Sequence, residues 1–129
     1  MDTPAMKMKV QKETEPEIGL VQGVIPDSKN EFYVAMALDK LGLDYTFQYS
    51  IDGGTNIRGG QVIDFIVWNP RPIPVFVQGE HWHTKTTESE DLLKQAAAYQ
   101  RFGIRPVLLM GEDTDTVEKA FATVKSKIL

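Results

Sequence analysis

Val62–His83 reads VIDFIVWNPRPIPVFVQGEHWH, and this stretch decides the fold. Two short runs rich in β-branched and aromatic residues flank Asn69-Pro70-Arg71-Pro72, a turn whose prolines fix φ and cannot continue a helix. The spacing predicts two apolar strands joined by that turn. Each run also carries a polar group where an apolar one would cost less. Val62, Ile63, Phe65, Ile66, Val67 and Trp68 surround a single carboxylate, Asp64. In the second run Ile73, Val75, Phe76 and Val77 lead into Gln78, Gly79, Glu80, His81, Trp82 and His83, so polar ligand-type side chains gather where the strand ends. A charge inside an apolar strand costs several kcal/mol unless it is paired or bound to a cation. Asp64 therefore asks for a partner, and Gln78, Glu80 and His83 are the nearest candidates.

Working outward, Asp44–Ile51 alternates as a strand, with Tyr45, Phe47 and Tyr49 expected on one side and Thr46, Gln48 and Ser50 on the other. The residues from Asp52 to Gly60 form a Gly-rich hairpin connection. It lacks the Lys-Ser/Thr ending of a phosphate loop, and Arg58 within it is a candidate phosphate contact. Strand Gln61–Trp68 is expected to place Asp64 on the face of Val62, Ile66 and Trp68, and strand Ile73–Gly79 to place Phe76 and Gln78 opposite Val75 and Val77. Ser28 with Glu31 forms a capping box for a helix to Leu41, stopped by Gly42. Glu31 lies three residues before Val34, on the face that packs on the sheet, so it either caps only or also looks inward toward Asp64. Thr87 with Glu90 caps a second helix to Phe102, stopped by Gly103. Arg105–Met110 reads as a last strand buried on both faces. Asp113 or Asp115 then caps a final helix whose stripe of Val117, Ala120, Phe121, Val124 and Ile128 is core. The order α-β-β-β-α-β-α predicts an α/β sandwich with a mixed four-stranded sheet.

A chain of 129 residues is one domain by length, and its 42% hydrophobic and 25% charged residues place it among soluble globular proteins. Residues 1–22 read as a flexible arm and 23–129 as the single domain. With no Cys there is no disulfide, thiolate ligand or Cys nucleophile. No apolar run approaches the roughly 18 residues of a membrane span, and a cytoplasmic, intracellular setting is expected. The net charge of −4 argues against a general nucleic-acid coat while leaving room for a local basic groove.

The helix with an N-terminal Glu31, the strand aspartate Asp64, the strand ending in Gln78-Gly79 and then Trp82-His83, and the helix opening with Asp91 three residues before Lys94 together resemble the PD-(D/E)xK nuclease superfamily. Within it the chain is similar to very-short-patch repair endonucleases and small DUF559-type domains, over roughly Ser28 to Glu112. The resemblance implies a restriction-endonuclease-like three-layer fold and a metal-dependent DNA endonuclease acting in repair, recombination or phage DNA processing. It also implies Mg²⁺ or Mn²⁺ as cofactor, DNA as partner, a homodimer, and a phage or repair assembly as setting. In the family the strand aspartate binds metal, a role that falls on Asp64. The third-strand acid would fall on Phe76, which cannot bind metal, and the Lys on Gln78, which is neutral. The repair endonucleases use a strand carbonyl instead, here that of Val77, with a His after a Trp, here His83. Glu80 stands two positions beyond Gln78 as a migrated acid.

Phosphodiester hydrolysis needs a hard cation on oxygen ligands and a group that moves protons. Asp64, Glu31, Glu80 and the Val77 carbonyl offer the oxygens, and His83 the proton relay. Lys85 and Lys94 are candidate phosphate contacts. His81 reads as an exposed loop residue, and two His without a third nitrogen or sulfur ligand do not make a zinc site. Two other readings stand beside the enzyme. One is a catalytically degenerate nuclease-fold protein serving as a nucleic-acid-binding or structural assembly module. The other is an unrelated small α/β binding protein in which Asp64 is a salt-bridge partner.

Overall fold

The computed structural model describes residues 15–51, 61–78 and 88–129. Within them the chain forms α1 (Lys29–Lys40), β1 (Asp44–Ile51), β2 (Gln61–Trp68), β3 (Pro72–Val77), α2 (Glu88–Phe102), β4 (Val107–Leu109), one 3-10 turn (Gly111–Asp113) and α3 (Val117–Lys127). The four strands make one mixed sheet in the order β1-β2-β3-β4, antiparallel at the first two junctions and parallel at the last. A parallel pair needs a crossover, and α2 lies on the connection between β3 and β4. Among the described residues no helix is long and apolar enough to cross a membrane.

Helices cover both faces of the sheet. On one side α1 and α3 pack against each other, and Val34, Leu38, Ala120 and Val124 close over Phe47, Phe65, Val67, Val75 and Leu109. Phe65 is fully buried beside Tyr45 and Phe47, with ring centroids 5.6 and 5.0 Å away. Burial of a side chain of that kind contributes roughly 1.5–3 kcal/mol. On the other side α2 sets Ala98 and Phe102 against Ile51, Ile63, Ile66 and Phe76.

Local chemistry accounts for the helix ends. Ser28 Oγ accepts the Glu31 N–H at 3.2 Å, as its place before the helix predicts. Gly42 and Gly103 take positive φ, +73° and +70°, and stop α1 and α2. The cap of α3 is Thr116, whose Oγ1 accepts the Lys119 N–H at 3.1 Å, not Asp113 or Asp115. Asp113 is taken up in the 3-10 turn and Asp115 pairs with Lys119 Nζ at 3.2 Å. That turn is pinned by Asn30 of α1, whose amide donates to the Gly111 carbonyl and to Thr114 Oγ1, each at 3.0 Å, so α3 begins only after it. The other expected helix cap, Thr87, lies outside the described residues.

Two strand expectations change. β4 is three residues long and sits at the sheet edge, so Val107 and Leu108 are half-buried and only Leu109 is fully enclosed. In β1 the alternation fails between Phe47 and Tyr49. Phe47 packs on the α1/α3 side, whereas Tyr49 and Ile51 pack on the α2 side. The intervening Gln48 has φ +56°, which turns the strand over. β2 switches at the same rung: Ile63 faces α2 while Phe65 faces α1 and α3. The pairing nevertheless runs on, with Phe47 opposite Phe65 and Tyr49 opposite Ile63. The residues between them, Gln48 and Asp64, occupy the switch.

Upstream of α1, Val21 is buried and forms a small bridge with Val24. Gln22 between them reaches β1: its amide nitrogen donates to the Tyr45 carbonyl at 2.6 Å, and its oxygen accepts the Phe47 N–H at 2.8 Å.

Candidate active site between helix α1 and strand β2

The switch in β2 frees Asp64 from the alternation that would have fixed it on the face of Val62, Ile66 and Trp68. Residue pairing between β2 and β3 runs from Trp68 and Pro72 up to Phe65 and Val75 and stops there. Beyond that point the Asp64 carboxylate takes the place of the ladder, accepting the Val77 N–H at 2.8 Å. A charge-assisted bond of this kind is stronger than a neutral one and holds the carboxylate at the end of the paired region.

Glu31 arrives from α1. Its N–H is capped by Ser28, and its side chain accepts the Asp27 N–H at 3.2 Å instead of closing back on Ser28. It is only 6% exposed. Burial, and then the negative charge of Asp64, push its carboxyl from the ordinary 4.5 up to about 8. Asp64 is pushed from 3.8 up to about 6, chiefly by burial, against the opposing Val77 N–H and the charge of Lys94. Glu31 thus receives its cap from Ser28 through its N–H, while its carboxyl turns to the Asp27 N–H and feels the charge of Asp64.

Two further charges belong here. Lys94, on α2, lies near enough to favour the ionised forms of both Glu31 and Asp64. Asp27 acts on the same two carboxyls with the opposite sign, and also donates its N–H to Glu31. The sequence did not single out Asp27, because it precedes the cap and belongs to no periodic pattern. Three carboxyls and one ammonium thus act on one another electrostatically, with acid groups in the majority.

Of the third-strand residues, Phe76 is 5% exposed and packs under α2, so the position where the resemblance would put an acid is core. Gln78 is buried to the same degree. Its N–H extends the parallel ladder to the Leu109 carbonyl at 2.9 Å, while its Oε1 finds no hydrogen-bond partner among the described residues. A buried acceptor left unmatched costs about 1–3 kcal/mol. Asp91 is held by Gln95 Nε2 at 2.8 Å. Glu80, His83, Arg58 and Lys85 lie outside the described residues, as do His81 and Trp82.

The oxygen donors here suit a hard cation, and the unmatched Gln78 oxygen fits such a group. Among the described residues no three His, Asp or Glu side chains converge closely enough to hold a metal by themselves. A full coordination shell therefore needs backbone oxygens, waters or residues beyond them. The chain matches no family model, no curated protein and no solved structure, so its own residues carry the functional argument.

Proposed function

We propose that this chain is a metal-dependent DNA endonuclease of the restriction-endonuclease-like class, hydrolysing phosphodiesters in DNA repair, recombination or phage DNA processing. The observation that carries the reading is the pair Glu31 and Asp64. Two carboxyls from different elements, Glu31 buried and Asp64 half-buried, are both pushed above the ordinary carboxyl range, Glu31 in part by the charge of Asp64. Structural acids are normally paired with Arg or Lys and pushed the other way, whereas a pair raised in this manner gains when a cation arrives.

Asp64 and Glu31, with the Val77 carbonyl and Glu80, are the groups that would hold Mg²⁺ or Mn²⁺. Such an ion, when bound, polarises the phosphate and lowers the pKa of a water. Asp64 orients through its bond to the Val77 N–H. Gln78, next in the chain to Val77, would offer its unmatched neutral oxygen. Lys94 presents a positive point charge across the site, suited to a phosphate oxygen. His83 is the proton carrier of this reading, and Arg58 and Lys85 are its further backbone contacts.

A second reading, a nuclease fold that has lost catalysis and binds nucleic acid or serves assembly, is favoured by one observation: Phe76 is firmly part of the core where the family places an acid. A titration of Mg²⁺ or Mn²⁺ against single-stranded, duplex and branched DNA, run beside Asp64→Ala, separates the two. Cleavage that vanishes in the variant supports the enzyme. A wild type that neither cleaves nor binds metal by calorimetry leaves the degenerate module.

A further inference from the structure

Helix α2 is amphipathic in an unusual sense, because its outward side is apolar as well. Ala98 and Phe102 point into the sheet. Leu92, Leu93 and Tyr99 are nevertheless 61%, 62% and 55% exposed, and Ala96 between them is exposed too. At 100° per residue these four fall within one stripe, which Ser89 and Gln100 continue without a charge. A stripe depleted of charge and holding an aromatic has the composition of an interface centre.

The order of sizes along the stripe identifies the occupant. Read from Ser89 to Gln100, the positions of the stripe run small, large, large, small, large, large, and Gly103 just past the helix end adds a small one, with Ala96 at the middle. Reversing the direction leaves the pattern unchanged. An antiparallel two-fold pair of α2 helices would set Ala96 on its own copy, Leu92 on Gln100, Leu93 on Tyr99 and Ser89 on Gly103, so each bulky side chain meets a bulky one across a seam that small residues bring close. Isologous interfaces need this kind of self-complementarity. The helix dipole selects the orientation. Set antiparallel, the positive N-terminal end of each α2 lies beside the negative C-terminal end of its copy, whereas a parallel pair sets like ends together; the side chains of Glu90, Asp91 and Arg101 fall outside the stripe at 100° per residue.

We propose that the outward face of α2 is the interface of a two-fold symmetric, antiparallel homodimer. The surface lies on the side of α2 away from the sheet, and the inference does not depend on the hydrolase reading: a dimer that cuts nothing leaves it intact.

The test uses the full chain. Sedimentation from the micromolar to the submillimolar range is expected to give a reversible dimer, and Ala96→Glu, which sets two carboxylates on the two-fold axis, is expected to weaken it at least tenfold. Mixing Ala96→Glu with Ala96→Lys should restore a heterodimer. Because the chain has no Cys, Ala96→Cys offers an independent readout. It should cross-link to its own copy under mild oxidation, while Ser89→Cys, about 20 Å from its copy along the helix axis, should not. A protein that stays monomeric throughout, a monomer that instead binds neutral lipid vesicles, or a dimer indifferent to Ala96→Glu would each overturn the proposal.

Discussion

Replacing Glu31 by Gln removes a charge while keeping the shape and an oxygen able to accept the Asp27 N–H. In the unfolded chain a Glu titrates near 4.5, and in the fold Glu31 titrates at about 8. The folded pKa is the higher one, so the stability associated with the proton is fully present below pH 4.5 and is lost as pH rises through 8. Taking 1.36 kcal/mol per pKa unit and weighing the two titrations, the loss is about 1 kcal/mol at pH 5 and about 3 kcal/mol at pH 7. Asp64, raised from 3.8 to about 6, tilts the curve the same way at lower pH. The two contributions do not add, because the charge of Asp64 is itself part of what raises Glu31. Thermal unfolding followed by circular dichroism in EDTA, from pH 5 to pH 8.5, should show Glu31→Gln gaining on the wild type by about 2–3 kcal/mol between pH 5 and pH 7, on the order of 10 °C in Tm. Mg²⁺ added at pH 8 should stabilise the wild type more than the variant. Parallel curves, with a gap that does not change with pH, would show that the Glu31 carboxyl titrates normally and that the pair is not strained.

Gln78→Leu deletes a buried oxygen that has no partner among the described residues and should leave stability unchanged or raise it by about 1 kcal/mol. Urea midpoints measure this, and a loss above about 2 kcal/mol would mean that the amide is bonded. Asn30→Ala breaks two 3.0 Å bonds that tie α1 to the turn before α3, and about 2 kcal/mol should go with them. A loss under about 0.5 kcal/mol in the same urea assay would show that the Asn30 contact is incidental.

Much of the fold was legible because its signals are short-range. Asp44–Ile51 and Gln61–Trp68 are bounded by turn residues and match the observed strands, and Gly42 and Gly103 end their helices where the positive φ is needed. Asp64 stood out because a lone charge among apolar neighbours needs a tertiary explanation. The rest depended on contacts distant in sequence. Gln48 is neither Gly nor Asn, so nothing in its identity marks a left-handed residue, and the reversal it causes cannot be read from alternation. The α3 cap is not readable locally, because Asn30, more than eighty residues away, holds the 3-10 turn that consumes Asp113. Asp27 was missed for a related reason: only the folding of α1 against the sheet brings its charge to Asp64.

The contact made by Gln22 has a consequence for how the protein behaves in a crowded solution. β1 is an edge of the sheet, and an unpaired edge is a template on which another chain can add itself as a new strand. Gln22 occupies the Tyr45 carbonyl and the Phe47 N–H with one planar amide, which offers the donor and acceptor that an incoming backbone would offer. A single side chain thus imitates a strand without being able to propagate one. Further along the same edge, the twist at Gln48 spoils the regular spacing that a foreign strand would need. Growth of the sheet by recruitment is blocked at one end by mimicry and at the other by irregularity.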